Sequence, residues 1–278
     1  MATATRIADG CGMRVATFNV NGIRAATRRG FAGWLAGRDC DIVALQEVRC
    51  PDELLPDVFG DYHVAYHAGT LPGRNGVALL TRQQPTAIRK GFGHRSDPEG
   101  RYVEVDLPGL RVASLYLPKG GVTDADEGER ARYARKMAFM KSFRPYLGRA
   151  RRAAAAEGRE FLILGDYNIA HERADVRNWR ANQRSSGFLP EEREWFGTIL
   201  GPRTLVDVVR RLHPDVDGPY SWWTWRGHAF DRDVGWRLDY HLATPGLAAR
   251  ALAGVVDRAD SYDARISDHA PVVVDYAW

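Results

Sequence analysis

The sequence predicts an α/β fold, a four-layer α/β sandwich in which two mixed, mostly antiparallel sheets pack face to face with helices outside. Three observations carry the prediction. Short apolar segments recur along the chain and end in polar residues, as buried strands do. Residues 102–107 and 110–116 flank Pro108-Gly109 and read as a hairpin, so the order is antiparallel sheet rather than a simple βαβ series. Helical spacing is strong over residues 127–157 and weaker elsewhere, which leaves helices to cover sheets rather than to form the core.

In chain order, residues 14–19 alternate toward apolar and residues 41–46 form a short apolar run, with a helical stretch at 29–36 between them. A turn at 73–76 leads into a strand at 77–81, and the hairpin follows. Residues 127–157 are rich in Ala, Arg and Met; Pro145 and Gly148 interrupt them, so one or two helices fit. A strand at 160–165 precedes a helix at 190–200 opened by proline and acidic residues. Strands at 236–243, 251–256 and 271–276 complete the set. The polar stretch 173–189 and the Pro-, Gly-, Asp- and aromatic-containing stretch 212–230 are long loops of the kind that carry function. Residues 13–278 are expected to form a single catalytic domain after a flexible N-terminal segment, residues 1–12.

With 278 residues and 45% hydrophobic content the chain can bury a large core, which excludes a disordered protein. No run of about 18 apolar residues exists to span a bilayer, and the polar start has no signal-peptide h-region, so a cytoplasmic protein with no membrane partner is expected. Cys11, Cys40 and Cys50 are odd in number and lack CxxC spacing, which suggests neither a disulfide framework nor a zinc site. The net charge is +4, and lysine occurs only at Lys90, Lys119, Lys136 and Lys141. Arginine forks match phosphate oxygens, which favours a polyanionic partner, although coding bias explains an arginine excess equally well.

Acids, amides and a histidine recur at strand ends. Asn19 ends the first strand and Glu47 follows the second; Asp166 and Asn168 follow the strand at 160–165. Asp239 lies in Arg237-Leu238-Asp239-Tyr240-His241, and Asp268 and His269 precede the last strand. Carboxylate and amide oxygens suit a hard cation, Mg²⁺ with Mn²⁺ as a substitute, whereas zinc would recruit more histidine or cysteine. Taken alone, Asp-x-Asn after a strand is an Asx turn and Ser-Asp-His a loop start. Their joint occurrence, each beside an apolar strand, points to one rim. His63 and His67 lie on a strand-like alternation and make a poor metal pair.

The stretches Phe18-Asn19-Val20-Asn21-Gly22-Ile23-Arg24-Ala25, Leu45-Gln46-Glu47, Asn75-Gly76-Val77-Ala78, Gly100-Arg101-Tyr102 and Gly165-Asp166-Tyr167-Asn168-Ile169-Ala170 occur in this order. They are followed by Gly187-Phe188-Leu189-Pro190-Glu191-Glu192-Arg193-Glu194-Trp195, Val234-Gly235-Trp236-Arg237-Leu238-Asp239 and Ser267-Asp268-His269-Ala270-Pro271. From about Arg14 to Tyr276 the chain thereby resembles the exonuclease III class of AP endonucleases, within the endonuclease/exonuclease/phosphatase superfamily of DNase I-like fold. The Asp-x-Asn and Ser-Asp-His elements are shared with distant phosphoesterases; the Gly187 to Trp195 stretch and the aromatic run from Trp222 to Trp236 resemble the abasic-DNA branch.

The resemblance implies a Mg²⁺-dependent DNA-repair phosphodiesterase that incises duplex DNA 5′ to abasic sites, with 3′ to 5′ exonuclease and 3′-phosphatase activity. Its expected partner is double-stranded DNA, especially abasic or 3′-blocked, and its expected state a monomer. Glu47 and Asp268 would hold the metal, with Asn19, Asp166, Asn168 and His269 as further direct, water-mediated or second-position ligands. Asp166 would deprotonate the attacking water, Asn168 would hold it, and His269, oriented by Asp239, would contact the phosphate; an older assignment makes His269 the base. Tyr116 would reach the phosphate. Trp222, Trp236 and Leu238 would wall a pocket for the flipped-out sugar, while Trp223 and Trp225 pack. Arg24, Arg101, Asn178, Arg180 and Asn182 would contact the DNA backbone. Lys119 stands where the family often has an amide, so its part in DNA binding is open. Two other readings remain: a hydrolase of another phosphate ester on the same fold, and a catalytically inactive DNA-binding homologue.

Overall fold

The computed structural model describes residues 12–93 and 99–278. The expected flexible segment therefore lies, apart from Gly12, outside the described residues, as does Cys11. Gly12 opens strand β1 (Gly12–Asn19), which is followed by helices α1 (Ile23–Arg28) and α2 (Phe31–Arg38) and strands β2 (Ile42–Gln46), β3 (His63–His67), β4 (Val77–Thr81) and β5 (Ala87–Lys90). Strands β6 (Tyr102–Leu107) and β7 (Leu110–Tyr116) form the hairpin, and α3 (Glu127–Ala156) leads to β8 (Glu160–Asp166). The remainder is α4 (Pro190–Ile199), β9 (Val206–Asp207), α5 (Val208–Leu212), β10 (Asp239–Ala243), α6 (Pro245–Ala248), β11 (Ala251–Val256) and β12 (Val272–Ala277).

The strands form two six-stranded sheets, ordered β11-β12-β1-β2-β4-β3 and β5-β6-β7-β8-β10-β9. In each the central pair is parallel, β1 with β2 and β7 with β8, and the other neighbours are antiparallel. Three apolar layers follow. Val15, Ala44, Leu79, Val105, Val112, Leu164 and Val274 fill the space between the sheets. Phe18, Phe31 and Leu35 lie under α1 and α2 on one outer face, and Phe139, Phe143 and Phe161 under α3 and α4 on the other. Every residue of β2, β4 and β8 except Glu160 is buried, because strands covered on both faces read as continuous apolar runs.

This topology gathers the strand-end residues. The parallel pair puts Asn19 opposite Gln46, and in the second sheet Asp166 pairs with Tyr116 on one side and Asp239 on the other. Strand β12 runs antiparallel to β1, so its leading residues, just after Asp268 and His269, arrive at the same end.

Several elements differ from the sequence expectation. The helix expected at 29–36 begins at Phe31, because Gly30 at φ 102° separates it from the short α1. Of the one or two helices that fit residues 127–157, one forms, over residues 127–156: Lys141 and Pro145 are both exposed, so the carbonyl that loses its donor faces solvent. The strand expected at 236–243 is continuous only from Asp239, since Trp236 pairs with Trp222 as an isolated bridge. Short β5, β9, α5 and α6 carry no periodic signal and were not expected.

Candidate active site

Asn19 sits at the centre of the rim. Its Nδ2 donates to Glu47 Oε1 at 2.8 Å and to Asp166 Oδ2 at 2.9 Å, while its Oδ1 accepts from the Asn21 N–H at 3.0 Å. One buried amide thus holds two carboxylates side by side. Glu47 takes a left-handed backbone, φ 51°, and its other oxygen is paired with Arg49. Asp166 Oδ1 accepts from the Asn168 N–H at 2.8 Å, an Asx turn that leaves Asn168 at φ 48°. The Asn168 side chain donates to Leu117 O at 2.9 Å and to Asp166 Oδ2 at 3.2 Å.

His269 completes the centre. Its Nδ1 lies 2.8 Å from Asp239 Oδ2, which also accepts from Ser221 Oγ at 2.6 Å, and its Nε2 is 3.7 Å from Asp166 Oδ2. Burial alone would lower the imidazole's proton affinity, but the charges of Asp239 and Asp166 more than offset it and raise the pKa to about 10. Burial raises the Asp166 carboxyl to about 7; neighbouring Asp239 and Glu47 act in the same direction and His269 opposes them. The Tyr116 phenol is pushed well above its ordinary range by burial and then by Glu47 and Asp166, which it faces.

Ligand atoms of Glu47, Asp166 and His269 lie within 4.8 Å of one another, the one such group found among the described residues. The donor set fits a divalent cation. Two buried carboxylates, Glu47 and Asp166, are held side by side by the Asn19 amide, and carboxylate oxygens so placed suit a hard cation. Asp268 stands apart from this group: Oδ1 accepts from Asn21 Nδ2 at 2.8 Å and Oδ2 from Trp222 Nε1 at 3.1 Å. Asn19 presents its amide nitrogen, not its oxygen, to the carboxylates.

An aromatic cluster adjoins the rim, with Trp222 beside His269 and Asp268. Trp222 and Trp236 are half-buried and meet edge to face at 6.3 Å, packed with Leu238, Phe188, Val176 and Ala170. Trp223 is buried against Phe230, and the half-buried Trp225 is stacked by Arg29 and Arg265. The residues expected at the DNA backbone do not behave alike. Arg24 is exposed and lines a cleft with Gly22, Ala25, Arg28, Arg49 and Gly73. Arg180 is exposed and stacks with Arg173 on Trp179, beside exposed Asn178 and half-buried Asn182. Lys119 is exposed. Arg101 instead is buried: its guanidinium lies 5.0 Å from the centre of the Tyr116 ring, donates to Glu99 Oε2 at 2.7 Å and reaches Tyr116 O at 3.3 Å. His67 bonds to Tyr102 O, and neither His63 nor His67 belongs to the ligand group.

Ser221, Asn21 and Arg49 hold the site residues in place, roles that the sequence motifs do not assign them. Asn21 and Arg49 stand two residues from Asn19 and Glu47 in sequence, a signal that could have drawn attention to them. Ser221 carries no comparable signal, because its partner Asp239 is 18 residues away.

The model of the endonuclease/exonuclease/phosphatase family matches residues 16–269. The chain is 33% identical over 266 residues to an exodeoxyribonuclease of Bacillus subtilis, covering 94% of this chain and 98% of that protein. It is also 33% identical to the DNA repair nuclease APEX1 of Danio rerio, covering 94% and 81% of the two chains. Among solved structures, an AP endonuclease from Archaeoglobus fulgidus superimposes with a TM-score of 0.84 at 29% identity, covering 96% of this chain and all of that one. The 3′ phosphatase NExo from Neisseria, bound to product DNA hairpin, gives 0.83 at 27% identity, again over 96% and 100%. No helix among the described residues is long and apolar enough to cross a membrane.

Proposed function

The chain belongs to the endonuclease/exonuclease/phosphatase family, and from that premise we propose that it is a DNA-repair phosphodiesterase. It cuts duplex DNA 5′ to abasic sites and trims or dephosphorylates 3′ ends, with residues 13–278 acting as one catalytic domain and as a monomer. The observation that carries the proposal is the convergence of Glu47, Asp166 and His269 beside the Trp222 and Trp236 cluster. The relatives' names, an exodeoxyribonuclease and a DNA repair nuclease, support the same reading.

In this reading Glu47 and Asp166 would hold Mg²⁺, or Mn²⁺ in its place, with His269 beside them and Asp268 and Asn19 fixing the surroundings. The cation would supply charge neutralisation for the phosphate and for the departing 3′ oxygen. Asp166 accepts the proton of the attacking water, from a position beside the Asn168 amide and His269 Nε2. Asn168 holds that water through its amide. His269, kept protonated by Asp239 and Asp166, stabilises phosphate charge rather than acting as the base. Tyr116, held under Arg101, directs its phenol to the same phosphate. Trp222, Trp236 and Leu238 form an apolar slot that admits a sugar without its base. Arg24, Arg180, Asn178, Asn182 and Lys119 lie outward, where they can meet backbone phosphates, and Arg101 serves Tyr116. Cys40 and Cys50 are free thiols, which accords with a reducing cytoplasmic setting.

The test is a duplex oligonucleotide carrying one abasic analogue. Nicking 5′ to the analogue is expected with Mg²⁺ and is expected to vanish in EDTA. An intact duplex with Mg²⁺, or equal nicking in EDTA, refutes the proposal.

A further inference from the structure

Beneath the turn that carries Asn168, a buried ion pair joins segments that lie far apart in sequence. Lys136, on the inner face of α3, and Glu192, in the first turn of α4, are both fully buried, with Nζ 2.6 Å from Oε1. Each group also reaches backbone. Lys136 Nζ donates to Asn168 O at 2.8 Å and lies 3.4 Å from Lys119 O. Glu192 Oε2 accepts from the Gly187 N–H at 2.6 Å and the Leu189 N–H at 3.0 Å. These donor and acceptor roles fit an ammonium and a carboxylate.

The four backbone groups belong to three loops that border the site: the one after Tyr116, the Asp166 to Asn168 turn, and the one that brings Phe188 to the aromatic cluster. Further bonds close the ring, from Ser186 Oγ to Lys119 O at 2.8 Å and from the Ala170 N–H to Gly187 O at 2.8 Å. The packing leaves no slack, since a Cβ on Gly120 would fall 2.5 Å from Lys136 Cδ. A buried ion pair is a poor source of stability, because a well-packed apolar pair is as good or better. An apolar pair could not satisfy Asn168 O or the Gly187 and Leu189 N–H groups, however, and a loop that loses those partners would rearrange. The Asx turn and the asparagine side chain account for the left-handed φ of 48° at Asn168, and the Lys136 bond to its carbonyl fixes how that peptide is oriented.

We propose that Lys136 and Glu192 are positioning residues for the catalytic turn. Lys136 fixes the Asn168 peptide, and so the amide that faces the attacking water, while Glu192 fixes the Phe188 side of the cluster. Neither touches DNA. The role given to the turn rests on the function proposed above.

The experiment compares the wild-type enzyme with Lys136→Met, Glu192→Gln and the double variant. Cleavage of the abasic duplex, affinity for an uncleavable abasic duplex, and amide hydrogen exchange over residues 166–170 and 185–189 are measured. Lys136→Met is expected to lower kcat on the order of 100-fold, the cost of a misplaced catalytic group, with KM and affinity within about twofold of wild type. Exchange is expected to rise in both segments while β1 and β8 stay protected. Glu192→Gln, which keeps the side-chain shape and guards against a Lys136 variant that does not fold, is expected to show a smaller change of the same kind, strongest at 185–189. The double variant is not expected to recover, because Asn168 O still lacks its donor. Wild-type kcat and exchange in the single variants, recovery in the double variant, or loss of protection spread evenly through β1 and β8 would each overturn the proposal. If the wild-type enzyme leaves the abasic duplex intact, the functional reading falls, and exchange at 166–170 still decides whether the pair holds the turn.

Discussion

Asp239 devotes one carboxylate oxygen to both His269 and Ser221, while its other oxygen is buried without a protein partner. Its charge is therefore directed at the imidazole, and Ser221 sets the angle. In Ser221→Ala the Leu238 and Asp239 N–H groups also lose their acceptor. Steady-state kinetics on an abasic duplex should show kcat reduced about tenfold with KM little changed, the pattern of a group that orients a catalytic residue; a rise in KM alone would contradict it. Asp166→Asn removes the proton acceptor but keeps an oxygen for the Asn168 N–H. Turnover is expected to fall on the order of 1000-fold, with the abasic duplex still bound in a gel-shift assay. The strand-end residues were legible in sequence because acids and amides stood out against apolar runs. The burial of Arg101 was not, since nothing adjacent in the chain reveals a tyrosine ring beneath a guanidinium.

At the scale of elements, the site depends on how closely β7 and β8 run. Gly165, at φ 141°, pairs with Leu115, and a Cβ there would fall 1.9 Å from Leu115 O. Gly165→Ala should therefore disrupt the parallel pair that sets Asp166 beside Tyr116, and circular dichroism with thermal melting should show loss of the folded state or a severely lowered Tm; a melting curve like wild type would contradict this. Long elements were legible in sequence: the hairpin at 102–116, the strand at 160–166 and the helix at 190–199 all carry strong periodicity or turn chemistry. The short β5, β9, α5 and α6 were not, because two to five residues hold too little periodic signal and their conformation is imposed by neighbours. Pro145 left one helix and two equally open for α3, and the structure has one, since a proline on an exposed face disturbs a long capped helix little. Asp126 caps it by accepting from the Glu129 N–H at 2.8 Å.

Across the whole molecule the two sheets are joined by polar contacts as well as by apolar packing. Gln46 donates to Ser114, and His241 of β10 meets Tyr276 and Val272 O of β12 across the interface. Burial lowers the His241 pKa from 6.5 to about 4, the Val272 carbonyl opposing only in part. The folded protein thus keeps His241 neutral where the unfolded chain takes up a proton. This contribution is complete above the unfolded value and is lost as pH falls from 6.5 toward 4. Urea unfolding should show about 2 kcal/mol lost between pH 7 and pH 5 from this group, a part absent in His241→Phe; equal losses in both proteins would refute the assignment. The sequence by itself determined the fold class, the strand ends that carry acids and amides, and the family they belong to, because periodicity and residue order are properties of the chain. Only the tertiary structure decided which of those groups face one another. It placed Glu47, Asp166 and His269 together, turned Asp268 toward Asn21 and Trp222, and buried Lys136 beneath Asn168. Those outcomes depend on strand register between distant segments and on the burial it creates, and no local pattern in the sequence encodes either.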